Sequence, residues 1–281
     1  MPHNSELKII FLGHPKYEEM YRKELEGAGY EFSAIRDFGN AKKTTTKIRP
    51  GLGVIACFGK IIPEDILKIP KHGFLNIHPS LLPRWRGPSP VRSALLAGEE
   101  KTGLTIHLTT AKVDAGDIIF QEEFPVEAND NYLTLEEKLF SLGAKRLPDI
   151  IKKWVNGGIH PQKQDESAAT YSKKARTEDG LVNWVRSPEE ILRQIRAYSP
   201  DPGVYALINR KRLKIKRAEM IENKQNIAPG AVFEADSWPA VKCGHNALKL
   251  LVLQPEGKKD MPGDAYLRGH KEIIQITTPR R

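Results

Sequence analysis

Leu7-Lys8-Ile9-Ile10-Phe11-Leu12, then Tyr17 to Ala28 stopped by Gly29, then Tyr30 to Ile35, give an apolar run, a stretch with helical spacing and a second apolar run. A short, continuous apolar run reads as a strand covered on both faces, and strand-helix-strand order returns the chain parallel to its start. The pattern continues outward. Gly53-Val54-Ile55-Ala56-Cys57-Phe58 and Phe74-Leu75-Asn76-Ile77-His78 are two further strands, with short helical connections at Pro63 to Leu67 and Pro90 to Ala97. Thr105 to Thr109 and Ile118 to Phe124 read as an antiparallel pair around Val113-Asp114-Ala115-Gly116-Asp117, whose Asp and Gly suit a tight connection. Leu133 to Val155 has helical spacing, with an interruption expected near Pro148 and a stop at Gly157-Gly158. The expectation for residues 1–172 is an α/β domain, a mostly parallel sheet with helices on both faces.

After this domain the chain turns polar. Lys173 to Gly180 has nothing to bury, and a linker is expected over residues 173–186. Ser187-Pro188-Glu189-Glu190 then opens a helix, with Ser at the cap, Pro in the first turn and acids near the positive end of the dipole. Short strands follow at Val204 to Ile208, Arg212 to Lys216, Gly230 to Glu234, Ala240 to Cys243 and Leu248 to Leu253. Such a run of short strands with turns between them predicts a small β-barrel in a second domain, residues 187–281.

Composition narrows the function classes. The chain has 281 residues, 40% of them hydrophobic, enough to build a core. No run of about 18 apolar residues suggests a membrane helix, and Met1-Pro2-His3-Asn4-Ser5-Glu6 lacks the regions of a secretory signal. Cys57 and Cys243 are too few for a disulfide framework or a thiolate zinc site, and the eight histidines show no ligand spacing, so no metal is expected. These features predict a cytoplasmic protein, and the lack of an exposed heptad predicts a monomer. The formal charge is +9, and residues 201–281 hold fifteen basic against nine acidic residues. That asymmetry suits a polyanion such as RNA, or a basic protein with no nucleic-acid partner.

A dinucleotide site does not fit, because Gly51-Leu52-Gly53 precedes a strand instead of following one. The informative segment is Asn76-Ile77-His78-Pro79-Ser80-Leu81-Leu82-Pro83. Residues two apart in a strand share a face, so Asn76 and His78 point together at the carboxyl end of a parallel strand, where open α/β sheets hold ligands. An amide and an imidazole there can both donate to an oxygen gaining negative charge, which suits acyl transfer. A core histidine beside an asparagine that closes the strand is the other reading. Asp114, on its tight turn, can reach the same crevice, hold His78 protonated and relay a proton through water. Asp117 is the rival acid, and Ser80 lacks the context of a nucleophile elbow.

Asn76-Ile77-His78-Pro79-Ser80-Leu81-Leu82-Pro83-Arg84-Trp85-Arg86-Gly87, with Thr102-Gly103 and Asp114-Ala115-Gly116-Asp117, resembles the signature of the folate-dependent formyltransferases. Arg196-Ala197-Tyr198-Ser199-Pro200, Leu253 to Lys259 and Leu267-Arg268-Gly269 resemble the C-terminal domain of the methionyl-tRNA branch of that family. The likeness runs from about Gly53 to Gly269. It implies a Rossmann-like first domain, an OB-like barrel that binds tRNA, and the catalytic set Asn76, His78 and Asp114. It also implies that Phe58-Gly59-Lys60-Ile61-Ile62, Ser80-Leu81-Leu82-Pro83, Thr110 and Asp117 hold 10-formyltetrahydrofolate, the formyl donor. Arg84 and Arg86 fall on the loop beside the amine acceptor, which the resemblance makes initiator methionyl-tRNA.

Between the second and third strands the chain departs from the family. Asp37 to Leu52 is too short for a helix and a further strand, where relatives carry a longer basic loop that holds the tRNA acceptor end. Lys42, Lys43, Lys47 and Arg49 are a reduced version of it or a solvated turn. In the second domain, Arg212, Lys214 and Lys216 share a face opposite Leu213 and Ile215, suiting phosphate contact or a lysine-protected edge strand. The basic end Arg280-Arg281 favours phosphate. A formyltransferase acting on an amino sugar nucleotide is the alternative function, and a binding protein without turnover a third.

Overall fold

A computed structural model describes residues 7–270. The amino-terminal residues Met1 to Glu6 and the basic end Arg280-Arg281 lie outside the described residues. The chain divides into two compact units, one of residues 1–94, 100–127 and 134–173, the other of residues 95–99, 128–133 and 174–281.

The first unit runs β1 (Lys8–Gly13), α1 (Pro15–Gly27), β2 (Glu31–Ala34), α2 (Ala41–Ile48), β3 (Leu52–Ala56), α3 (Glu64–Leu67), β4 (Phe74–His78), α4 (Pro90–Ala97), β5 (Lys101–Leu108), β6 (Ile118–Pro125) and α5 (Tyr132–Val155). Its sheet has the order β2-β1-β3-β4-β5-β6. The first four strands are mutually parallel, and β5 and β6 are antiparallel additions. Alternate residues of β1 feed two buried layers. Ile9 and Phe11 pack with Tyr17, Tyr21, Phe140 and Leu147 on one face, and Ile10 and Leu12 with Ala41, Ile62 and Ile66 on the other. That double burial is why β1 shows no polar alternation. At its end Gly13 lets the chain turn against β3, since a Cβ there would stand 2.6 Å from the Ala56 carbonyl oxygen. His14 then caps α1, its Nδ1 accepting from the Lys16 N–H at 3.2 Å, with Pro15 in the first turn.

One local expectation changes, and a second is met. α5 is one helix through Pro148. Its buried face, from Leu135 through Phe140 and Leu147 to Ile151, holds together the turn that proline cannot bond. The connection from Asp37 to Leu52 holds a 3-10 turn, Phe38–Asn40, and then α2, but no strand. β2 therefore stays at the sheet edge, and β3 follows α2 directly beside β1.

The second unit runs α6 (Pro188–Tyr198), β7 (Val204–Ile208), β8 (Lys211–Ile221), β9 (Val232–Ala235), β10 (Trp238–Lys242), β11 (Ala247–Pro255), β12 (Met261–Pro262) and α7 (Gly263–Gly269). The strands form an antiparallel sheet, β7-β8-β11-β10-β9, with β12 on β11. Among the described residues β7 and β9 do not pair, so the barrel is partly open. α6 starts with a reciprocal capping box. The Glu190 N–H donates to Ser187 Oγ at 3.1 Å, and the Ser187 N–H donates to the Glu190 carboxylate at 3.0 Å. Val182 and Trp184, inside the stretch expected as linker, are buried in this unit's core beside Ile191, Val204 and Leu248. The exposed character anticipated for residues 173–186 holds for most of Lys173 to Asp179 and for Asn183, Val185 and Arg186.

Candidate active site

β4 is parallel to β3 and carries Asn76 and His78 on one face at its carboxyl end. Its antiparallel neighbour β5 supplies a residue the sequence reading missed, since the register sets His107 opposite Asn76 and Thr105 opposite His78. His107 Nδ1 lies 2.9 Å from the Leu108 carbonyl, which can only accept, so Nδ1 carries a proton. Its Nε2 faces Asn76 Nδ2 at 3.2 Å.

Asp114 reaches the same point from the turn between β5 and β6. It accepts from Asn76 Nδ2 at 3.2 Å and from the Gly87 N–H at 2.7 Å, and its Oδ2 lies 3.6 Å from His78 Nδ1. His78 Nε2 stands 3.0 Å from the Trp85 carbonyl, so it too holds a proton, leaving the Nδ1 lone pair toward Asp114. Asp117, the rival acid, contributes its carbonyl to the Leu108 N–H at 2.9 Å. The turn depends on Gly116, where a Cβ would lie 1.7 Å from the Leu108 oxygen.

Electrostatics assign the resting protonation. Burial pushes the Asp114 carboxyl up, but His78, His107 and the Gly87 N–H outweigh it and hold the group down at about 2. For His78, burial pushes the pKa below the ordinary imidazole value, against the upward pull of Asp114. The expectation that Asp114 keeps His78 protonated runs against this direction: burial favours the neutral imidazole, whose donor is the proton on Nε2.

The surrounding loop residues divide into those that build and those that face outward. Ser80 is fully buried and its hydroxyl donates to the Arg84 carbonyl at 2.7 Å. The Leu82 N–H donates to Thr105 Oγ1 at 3.1 Å, while its carbonyl accepts from Gln121 at 2.9 Å. Leu81 packs over Gly103, and Pro83 is half-buried. Phe58 stacks edge-on against Phe38, with Lys60 over the same ring. Ile61 is exposed, at 76%, and the Ile62 side chain is buried in the core. Thr110 is exposed and donates to the Lys112 carbonyl at 3.0 Å.

Among the residues expected to meet tRNA, Arg86 is corrected. Its side chain is 0% exposed and is bound to Glu166 and Gln164, so no surface remains for a phosphate. Arg84 is exposed and lies over the Trp85 ring. Lys43 is exposed on α2, and Lys42 pairs with Asp65 at 2.7 Å. On β8 the alternation holds, with Leu213 and Ile215 buried and Arg212, Lys214 and Lys216 on the other face. Arg212 lies over the Tyr205 ring, and Lys216 is 3.9 Å from Asp260. Among the described residues no group of three His, Cys, Asp or Glu could hold a metal ion, and no helix is long and apolar enough to cross a membrane.

Comparisons with known proteins identify the family. Residues 23–151 match the formyl transferase family, and residues 174–271 match the formyl transferase C-terminal domain. A methionyl-tRNA formyltransferase of Caldanaerobacter subterraneus is 39% identical over 300 aligned positions, covering 94% of this chain and 97% of that protein. Those 300 positions exceed the 281 residues of this chain, so the relative carries residues this chain lacks. Among solved structures, HypX from Aquifex aeolicus in complex with tetrahydrofolic acid superposes with a TM-score of 0.74 at 19% identity, over 97% of this chain and 49% of that one. Methionyl-tRNA formyltransferase from Clostridium thermocellum gives 0.63 at 21% identity, over 78% of this chain and 95% of that one.

Proposed function

This chain belongs to the formyltransferase family, and from that premise we propose that it moves the formyl group of 10-formyltetrahydrofolate to the α-amine of initiator methionyl-tRNA. The observation that carries the chemistry is the meeting of Asn76, His78 and Asp114 within 3.2 to 3.6 Å at the end of β4.

The free amine attacks the formyl carbon, and its lone pair becomes the new C–N bond. The carbonyl π electrons move to oxygen, giving a tetrahedral oxyanion. Asn76 Nδ2–H and His78 Nε2–H are the donors for that oxygen; at rest they point to Asp114 and the Trp85 carbonyl, and the oxyanion outcompetes those partners. The attacking nitrogen must lose a proton. Asp114, which accepts from the Gly87 N–H and from Asn76, is a weaker base than His78. The neutral His78 Nδ1, reached through water, holds it instead, and the carboxylate 3.6 Å away balances the imidazolium. Collapse of the oxyanion breaks the bond to N10, which takes the proton and leaves as tetrahydrofolate. Ile61 and Val113, both exposed apolar side chains, are assigned to the pterin side, together with exposed Thr110. The outward face of β8 and Arg84, Lys42 and Lys43 are assigned to tRNA phosphate.

Labelled formyl donor offered with initiator methionyl-tRNA, elongator methionyl-tRNA and an amino sugar nucleotide tests the reading. Label on the initiator aminoacyl group is expected. Label on the sugar with none on tRNA overturns it.

A further inference from the structure

We infer that Gln164 is a positioning residue for formyl transfer: its amide fixes the backbone of the Asp114 turn, and the buried Arg86 fixes the amide. The inference rests on the reading of Asp114 as the carboxylate that balances His78.

The turn needs support from outside itself. Asp114 has φ 48°, in the left-handed region that costs free energy for any residue with a side chain. Two residues on, Gly116 is pressed against Leu108 with no room for a Cβ. Gln164 Nε2 spans the turn, donating to the Asp114 carbonyl at 2.9 Å and the Gly116 carbonyl at 2.7 Å. Its Oε1 accepts from Arg86 Nε at 3.1 Å and Nη2 at 2.8 Å. A guanidinium only donates and a carbonyl only accepts, so both ends of this amide are assigned without ambiguity.

Arg86 has little freedom. On its other edge it forks onto Glu166 at 2.8 and 3.2 Å, and Glu166 also pairs with Lys112, on the same turn as Asp114. The Arg86 N–H donates to the Thr170 carbonyl, and its own carbonyl accepts from the Ser172 N–H at 2.7 Å. Residues 164–172 thus bind two loops at once, the one after β4 and the one after β5. The next residue, Gly87, holds the Asp114 side chain by its N–H at 2.7 Å. Gln164 grips the backbone of Asp114 while Gly87 grips its carboxylate, and together they set the separations to His78 and Asn76.

Gln164→Glu keeps a partner for Arg86 but replaces the donor facing two carbonyls with a second acceptor; Gln164→Met keeps the volume and loses both ends. Each is measured alone and in an Asp114→Asn background. Melting temperature and near-UV circular dichroism report the fold, and kcat and KM are measured for both substrates. Expected for Gln164→Glu is a loss of about 10- to 100-fold in kcat, since a displacement near 1 Å costs on that order, with KM values little changed. In the Asp114→Asn background the further loss should be under about threefold, because one residue acts through the other. Additive losses, an unchanged kcat, or unfolding of both variants while Asp114→Asn folds would each overturn the inference. A kcat unaffected by Asp114→Asn alone would instead remove the proposed role of Asp114, so the two failures are distinct.

Discussion

Asp114→Asn changes one atom and removes one charge. The new side-chain oxygen can still accept from the Gly87 N–H, while the amide nitrogen faces the Asn76 donor that now lies 3.2 Å from Oδ1. At the 3.6 Å separation from His78 Nδ1, a full imidazolium–carboxylate pair in an effective dielectric of about 20 is worth roughly 4–5 kcal/mol before desolvation. Burial takes part of that back, leaving about 3–4 kcal/mol, or about two to three orders of magnitude in kcat. The pH profile tests the assignment more sharply. Neutral His78 is the proton acceptor, so kcat falls as the solution is acidified through its pKa, which burial already places below the ordinary value. Asp114 pulls that pKa upward, so losing the charge lowers it further and moves the acid limb to lower pH. Single-turnover formylation of saturating methionyl-tRNA, followed from about pH 5 to pH 8, the range in which an imidazole titrates, measures both effects. A kcat within about threefold of the parent, well under the tenfold that 1.36 kcal/mol represents, or an acid limb that moves to higher pH, refutes the reasoning.

Three further outcomes are expected. Asn76→Ala should lower kcat by about 10²–10³, the usual effect of removing one oxyanion donor, with an unchanged melting temperature; near-normal turnover rejects Asn76 as a donor. Gly116→Ala would put a methyl 1.7 Å from the Leu108 oxygen, a backbone atom that cannot yield cheaply. Urea unfolding should show a loss of about 2–4 kcal/mol, in the range of steric core errors, and an unchanged midpoint would show that the turn tolerates a side chain. Charge reversal at Lys214 and Lys216 should raise KM for tRNA and flatten its salt dependence by about one unit of log-log slope for each phosphate no longer neutralised; an unaltered slope takes β8 out of the interface.

The sequence made the sheet legible because Ile9 to Leu12 of β1 and the whole of β3 are apolar without a break, and only doubly covered strands look like that. Asn76 and His78 were legible for the same reason, as polar residues two apart at the end of such a strand. His107 was not. Its role comes from antiparallel pairing between β4 and β5, and Asn76 and His107 are 31 residues apart. Choosing Asp114 over Asp117 needed the conformation of the turn, which aims one carboxylate inward and uses the other residue's carbonyl. Arg86 looked like a surface cation because Arg84-Trp85-Arg86 reads as a basic loop, and side-chain type cannot distinguish a phosphate contact from a buried brace. Trp184 was hidden by its polar neighbours: one large side chain among charged residues leaves no periodic trace, yet it anchors the second core.

The fastening of the loop after β4 to residues 164–172 gives the chain a schedule. A ribosome that has extruded Asn76, His78 and Asp114 has made every reacting side chain and still lacks the partners that aim them; Ser172, whose hydroxyl accepts from the Ser89 N–H at 2.9 Å, is among the last. A fragment ending before that point carries the reacting residues without the partners that aim them.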